Sequence, residues 1–322
     1  MTAHPKAVVA GGAGFLGSHV CQRLISDGYE VLCVDNLSTG RESNVRHLLE
    51  HASFSFLRAD VAADRFTVDG DVDLVLHLAS PASPAAYSAK PVETLMAGSH
   101  GTRSLLELAR SKGARFLLAS TSEVYGDPQV HPQSEGYWGH VNPVGPRSAY
   151  DEAKRFAEAL TVAYRQTFRM NTGIVRIFNT YGPRMQADDG RMVPTFIRQA
   201  LSGSPLTVHG HGRQTRSLCY VDDTTEGLMR LARSQHSGPV NLGSPRELTV
   251  RCIAEMVRVV TRSDSPIESV AAMVDDPKVR CPDISLATAI LDWAPAVPLE
   301  AGLAITAEWM AGELVGAPQA GA

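Results

Sequence analysis

A chain of 322 residues, 44% hydrophobic and 20% charged, can bury one large core or two smaller ones, and its composition excludes a disordered protein. A net charge of −4, with no run of Lys or Arg, excludes a general nucleic-acid wrapper while leaving room for a small anionic ligand. Five cysteines, Cys21, Cys33, Cys219, Cys252 and Cys281, form no CxxC or Cys/His cluster of metal-ligand spacing, so no metal is expected and reduced thiols in a cytoplasm fit best.

The chain passes from Met1 to a strand-like segment without the pattern of an export signal, and no apolar run approaches the roughly 20 residues that span a bilayer. Strands are expected at Lys6–Ala10, Glu30–Val34, Phe54–Leu57, Leu74–His77, Phe116–Ala119 and Gly173–Ile177, with helices at Phe15–Ser26, Pro91–Ser111 and Ser148–Phe168. This alternation is that of an α/β protein with a Rossmann-like, doubly wound parallel sheet of six or seven strands. Beyond Asn179 the alternation weakens, with helices expected at Val193–Leu201, Asp222–Arg233 and Val250–Val260. The organisation expected is a dinucleotide-binding domain over 1–178, a smaller substrate-binding lobe over 179–315, with the chain free to cross between them, and a frayed tail over 316–322.

Directly after the first strand, GGAGFLG places Gly11, Gly14 and Gly17 at the mouth of a helix. Glycines there allow a tight turn and close backbone approach to a pyrophosphate, whose charge meets the positive helix end. Asp35 closes the second strand, where a carboxylate accepts hydrogen bonds from an adenosine ribose and repels the extra phosphate of NADP, so NAD is the cofactor expected. Arg41 nearby reads as a solvated loop charge. The dinucleotide contacts expected are Gly11, Gly14, Phe15, Leu16, Gly17, Asp35, Asn36, Asp60, Val61 and Leu78, joined by Tyr150 and Lys154.

Tyr150 and Lys154 stand four apart on one helix and share a face. A phenol of ordinary pKa about 10 is a poor base at neutral pH, and a neighbouring ammonium favours its phenolate. Thr121, Ser122 and Glu123 follow a strand, in the crevice where open α/β sheets bind ligands. The Thr121 hydroxyl is placed to share a hydrogen bond with Tyr150 and a substrate alcohol, and Glu123 to act as an acid, a base or an electrostatic contact.

With these motifs the chain resembles the extended short-chain dehydrogenase/reductases, and among them most closely the UDP-glucuronate decarboxylases. The similarity runs over nearly the whole chain, through GGAGFLGSH, VDNLSTG, HLASPASP, STSEVYGDP, NPVGPRSAYDEAKR, RIFNTYGPRM, DDGR, GRQTRS, NLGSP and RCPDI. It implies oxidation of a UDP-sugar at carbon 4 by NAD, loss of the carbon 6 carboxylate, and return of the hydride. It further implies Tyr150 as base, Lys154 as its partner, Thr121 as the hydroxyl, Glu123 as the active-site acid and Arg280 as an aid to decarboxylation or protonation. Ser122, Glu123, Asn179, Arg191, Arg216 and Arg280 are then the substrate contacts, the arginines by charge-assisted bonds to phosphate. A homodimer is also implied, pairing the Pro91–Ser111 and Ser148–Phe168 helices in a four-helix bundle.

Four positions depart from the family pattern. Gly98 stands where Asn is common, His140 where Asn is usual, and Cys219 and Cys281 where polar residues flank Arg216 and Arg280. A nucleotide-sugar 4,6-dehydratase or 4-epimerase would share the carbon 4 oxidation, and a non-catalytic NAD-binding regulator would share only the cofactor site.

Overall fold

The computed structural model describes residues 4–63, 66–271 and 279–316, so the tail expected at 316–322 falls, from 317 on, outside the described residues. The first half alternates strand and helix: β1 (Lys6–Ala10), α1 (Phe15–Ser26), β2 (Glu30–Asp35), β3 (Phe54–Arg58), β4 (Leu74–His77), α2 (Pro84–Ala89), α3 (Pro91–Met96), α4 (Thr102–Lys112), β5 (Arg115–Thr121), α5 (Ser148–Phe168) and β6 (Thr172–Ile177). There follow β7 (Thr180–Tyr181), α6 (Met192–Leu201), β8 (Leu206–His209), β9 (Thr215–Ser217), β10 (Cys219–Tyr220), α7 (Val221–Arg233), β11 (Val240–Leu242), β12 (Glu247–Thr249), α8 (Val250–Thr261), β13 (Ile267–Val270), α9 (Ser285–Leu291) and α10 (Leu299–Gly316).

Seven strands form one parallel sheet in the order β11-β6-β5-β4-β1-β2-β3. β1 lies between β4 and β2, and Ala7, Val8, Val9 and Ala10 are wholly buried. Helices on both faces explain why it reads as an unbroken apolar run instead of an alternation. The strand order reverses at β1, which opens a crevice at the carboxyl ends of the strands.

The seventh strand comes from far along the chain. β11 pairs with β6 through Val240↔Val175, Asn241↔Arg176 and Leu242↔Ile177, while Leu228, Met229, Leu231 and Trp293 join Val9, Val20 and Leu24 in the core under the sheet. A second core gathers Tyr181, Phe196, Ile197, Leu206, Ile253, Val257, Leu303 and Met310 around α6, α8 and α10. Three two-stranded pairings, β10 with β7, β12 with β9 and β13 with β8, stitch this lobe together.

The helix expected over Pro91–Ser111 forms, but not as one regular α-helix. α3 and α4 are joined by a π-helical turn, Ala97–Gly101, of the kind that inserts one residue into a helix. At this turn a Cβ on Gly98 would lie 2.6 Å from the Ala153 carbonyl oxygen and 2.7 Å from the Ala153 Cβ. The glycine therefore lets the α3–α4 segment and α5 approach closely.

Candidate functional site

The glycine turn is shaped by contacts that exclude side chains. Gly11 has φ +80°, and a Cβ there would meet Ala79 N at 2.6 Å, while a Cβ on Gly17 would stand 2.0 Å from the Gly11 carbonyl oxygen. A Cβ on Gly14, by contrast, would meet only the Gly11 oxygen at 3.1 Å. The first and third glycines thus serve close backbone packing, and Gly14 leaves the helix mouth uncrowded. Phe15 and Leu16 open α1 and pack against the second core, so the turn lies where the two cores meet. Leu78 donates its N–H to Ala10 O at 2.8 Å, holding the end of β4 beside the turn.

Asp35 ends β2 with its carboxylate accepting N–H bonds from Ala13 at 3.0 Å and Leu37 at 2.8 Å. Burial pushes its pKa up, and the two backbone donors pull the other way. Asn36 donates to Asp60 at 2.9 Å, and Asp60 accepts from Ala62 N at 2.8 Å, so the ends of β2 and β3 form one polar rim with Val61 buried beside it. Arg41 pairs with Asp188 at 3.4 Å. This rim and the uncluttered helix mouth have the donors, acceptors and space that the ribose and pyrophosphate of a dinucleotide require.

Tyr150, Lys154, Thr121 and Glu123 come together at the carboxyl end of β5. Tyr150 is buried, and burial pushes its phenol up to about 12 against a hydrogen bond with Thr121 that pulls it down. Lys154 donates to Ala119 O at 2.8 Å, with its Nζ 5.9 Å from the centre of the Tyr150 ring. Burial lowers its pKa to about 8, countered by Glu158. Desolvation is the largest influence on the Tyr150 phenol.

Glu123 is gripped from both sides, by Arg280 and by Arg147. Burial pushes its carboxyl up, but Arg280, Arg147 and then Arg216 more than reverse this, so its pKa ends below the ordinary value. At neutral pH Glu123 is a carboxylate, suited to electrostatic work more than to proton donation. Arg280 is 2% exposed and anchored by Nη1 to Ser122 Oγ at 3.2 Å and by Nη2 to Gly126 O at 2.9 Å.

The other expected substrate contacts lie on the second lobe's edge. Arg191 precedes α6 and pairs with Asp189 at 3.1 Å, and its charge acts on Tyr150. Arg216 on β9 donates to Thr215 O at 2.8 Å. Asn179 sits between β6 and β7, its carbonyl accepting from Cys219 N at 2.9 Å. The departures are structural neighbours of this edge: His140 exchanges backbone bonds with Tyr125 and Asp127, and Cys281 packs against Gln133 and Pro245.

Three residues absent from the expected set belong to the cluster. Tyr87 on α2 stacks on Tyr150, ring centres 5.2 Å apart and planes at 11°. Arg147 lies over Tyr87 at 6.0 Å while holding Glu123. Asp151 follows Tyr150, has a buried Oδ1 without a hydrogen-bond partner, and is pushed up to about 7 by burial and by Glu123. Ser83 before Pro84 is a helix-start signature that would have located α2 and hence Tyr87. Arg147 lies three residues before Tyr150, but nothing local marks its reach to Glu123.

The model of the NAD dependent epimerase/dehydratase family matches residues 7–243. The chain belongs to this family. It is 48% identical to UDP-glucuronic acid decarboxylase 1 of Danio rerio over 96% of its own length and 73% of that protein, and 49% identical to UDP-glucuronic acid decarboxylase 6 of Arabidopsis thaliana over 94% and 88%. Among solved structures, it matches UDP-glucose 4-epimerase of Thermotoga maritima with UDP-glucose at a TM-score of 0.87 and 28% identity, over 96% of this chain and 99% of that one. UDP-glucuronic acid 4-epimerase of Bacillus cereus, with UDP-glucuronic acid and NAD, matches at 0.85 and 28%, over 96% and 99%. The resemblance to extended short-chain dehydrogenase/reductases and the Rossmann-like fold are borne out, and the enzyme is NAD-dependent. Among the described residues no helix is long and apolar enough to cross a membrane, and no group of three or more His, Cys, Asp or Glu side chains is arranged to hold a metal ion.

Proposed function

We propose that the enzyme converts UDP-glucuronate to UDP-xylose and carbon dioxide. The observation that carries this is the likeness to UDP-glucuronic acid decarboxylases, 47–50% identical over more than nine-tenths of the chain. The two 4-epimerase structures named above are 28% identical.

Held by the glycine turn and Asp35, NAD would supply the hydride acceptor for sugar carbon 4 and the hydride donor that restores it. Tyr150 accepts the carbon 4 hydroxyl proton, with Thr121 sharing the hydrogen bond. A phenol pushed up to about 12 is a weak acid, so it takes the proton readily once ionised but ionises only with help from charge at the site. The resulting carbon 4 ketone is β to the carboxylate. When the bond from carbon 5 to the carboxyl carbon breaks, carbon dioxide leaves and the electron pair delocalises into the ketone as an enolate. Arg280 and Arg147 supply fixed positive charge near the developing anion, and Glu123 holds both guanidiniums in position. A proton from solvent water then adds to carbon 5, and Tyr150 gives its proton back to the carbon 4 oxygen as that carbon is reduced again, so each turnover consumes one proton. Arg191, Arg216 and Asn179 hold the UDP moiety, and Asp35, Asn36, Asp60, Val61, Leu78 and the glycine turn with Phe15 and Leu16 hold NAD.

A homodimer through α3 and α5 accompanies this reading, in keeping with apolar side chains left in solvent on those helices: Val92 is 62% exposed, Phe156 50%, and Leu95 and Met96 39% each. The cytoplasm is the compartment proposed, in keeping with five free cysteines. The domain division proposed is a mainly NAD-binding unit over 1–178 and a mainly substrate-binding one over 179–315.

The deciding experiment is incubation with UDP-glucuronate and mass detection of the product. The expected product is lighter by one carbon dioxide, with no stoichiometric NADH in solution. Product of unchanged mass would favour an epimerase, and loss of water a dehydratase.

A further inference from the structure

The decarboxylase reading, on which this inference rests, requires the site to recognise a sugar bearing a carboxylate on carbon 6. Among the described residues, five cations enter the site described above. Arg191 and Arg216 belong to the UDP side, and Lys154 is directed to the Ala119 carbonyl. Arg280 is 2% exposed and already divided among Ser122, Glu123 and Gly126. Arg147 differs from all four. Its side chain is 21% exposed, and among the described residues its guanidinium makes one ion pair, from Nη2 to Glu123, and one ring contact, with Tyr87.

We propose that Arg147 is the specificity-determining residue that binds the carbon 6 carboxylate, with Glu123 and Tyr87 positioning its guanidinium for that contact. A planar fork of five donors engaged by Glu123 through one terminal nitrogen keeps an edge for a second carboxylate. The location fits: Tyr87 contacts both Arg147 and Tyr150, so the guanidinium and the phenol that serves carbon 4 share one aromatic neighbour. Carbon 6 is two carbons from carbon 4. The charge also fits, since Arg147 and Arg280 against Glu123 leave one positive charge unmatched. Asp151 does not cancel it while protonated, and its pKa of about 7 keeps it largely so below neutrality. One further carboxylate balances the cluster, whereas a neutral hexose leaves the charge uncompensated in a largely buried site. Structural locking of the 139–147 loop to Glu123 would require none of this selectivity.

The test compares ligands with and without the carboxylate. UDP-glucuronate and UDP-xylose are titrated calorimetrically into NAD-loaded protein carrying Tyr150→Phe, which prevents consumption of the substrate, with and without Arg147→Met. Expected is a loss of at least about tenfold in UDP-glucuronate affinity and less than about twofold for UDP-xylose, with Arg147→Lys recovering part of the loss. Equal weakening of both ligands, or no weakening of either, overturns the inference. The Tyr150-containing protein is assayed in parallel for carbon dioxide release from UDP-glucuronate. Absence of release brings down the decarboxylase reading and this inference together, whereas release combined with equal weakening overturns this inference alone.

Discussion

The glycine turn and the charged cluster around Glu123 lie at the carboxyl edge of the same sheet but are built differently. Gly11, Gly14, Gly17 and Asp35 span a single β-α-β stretch, and their work is done by backbone: N–H groups on a carboxylate, and glycines where a Cβ has no room. The cluster joins Tyr87, Thr121, Glu123, Arg147, Asp151 and Arg280, with Arg280 and Ser122 158 residues apart, and its members work by shifting one another's charge. A backbone-made site tolerates little change in shape but much in charge. A side-chain-made site has the opposite sensitivities.

The sharpest way to break that contrast is Gly17→Ala. Its Cβ would stand 2.0 Å from a backbone carbonyl oxygen, so the turn must open, at a cost in stability above the roughly 1–3 kcal/mol of ordinary overpacking. NAD retention through gel filtration is expected to be lost, and retention at the parent level would show that the turn yields. Gly136→Ala, where a Cβ meets nothing within 4 Å, is the matched control and should leave retention unchanged.

Arg280→Ala should produce the next effect. It removes one of the two guanidiniums that grip Glu123 and leaves a mostly buried carboxylate under-compensated, so urea unfolding should show a loss of about 3 kcal/mol. Glu123→Gln in the same background should recover part of it, because a neutral amide needs no counter-charge. No recovery would mean that Arg280 acts through packing instead.

The smallest effect expected is a gain. Asp151 has a folded pKa of about 7 against an ordinary 3.8, so the native state holds its proton while the unfolded chain has released it. Between about pH 4 and 7 stability therefore falls as pH rises, and the penalty is complete above pH 7. Asp151→Asn should stabilise the protein at pH 8 by an amount on the order of 2 kcal/mol and by almost nothing at pH 4. Equal effects at both pH values would remove charge from the explanation.

The same contrast decides what was legible in the sequence. β1, α1, β4 and α5 begin and end where hydrophobic period, glycine and helix length place them. The turn with Asp35 was equally plain, because its parts are neighbours. The π-helical turn at Ala97–Gly101 was not, since it depends on how closely α5 approaches, and neither was β11, whose three residues acquire meaning only beside β6. Tyr150, Lys154, Thr121 and Glu123 stand out through motif and resemblance. Arg147 and Asp151 carry no such mark, because an arginine in a loop and an acid on a helix look solvated until long-range packing buries them.

Gly98 and Ala153 touch at the narrowest point between the π-helical turn and α5, one residue from Lys154, and the shared space has an evolutionary consequence. Any side chain at 98 would meet the Ala153 carbonyl oxygen as well as its Cβ, so trimming residue 153 alone would not make room for it. Glycine at 98 can be replaced only together with a shift of the backbone of α5, the helix that carries Tyr150 and Lys154. The position is constrained even though it takes no part in the chemistry.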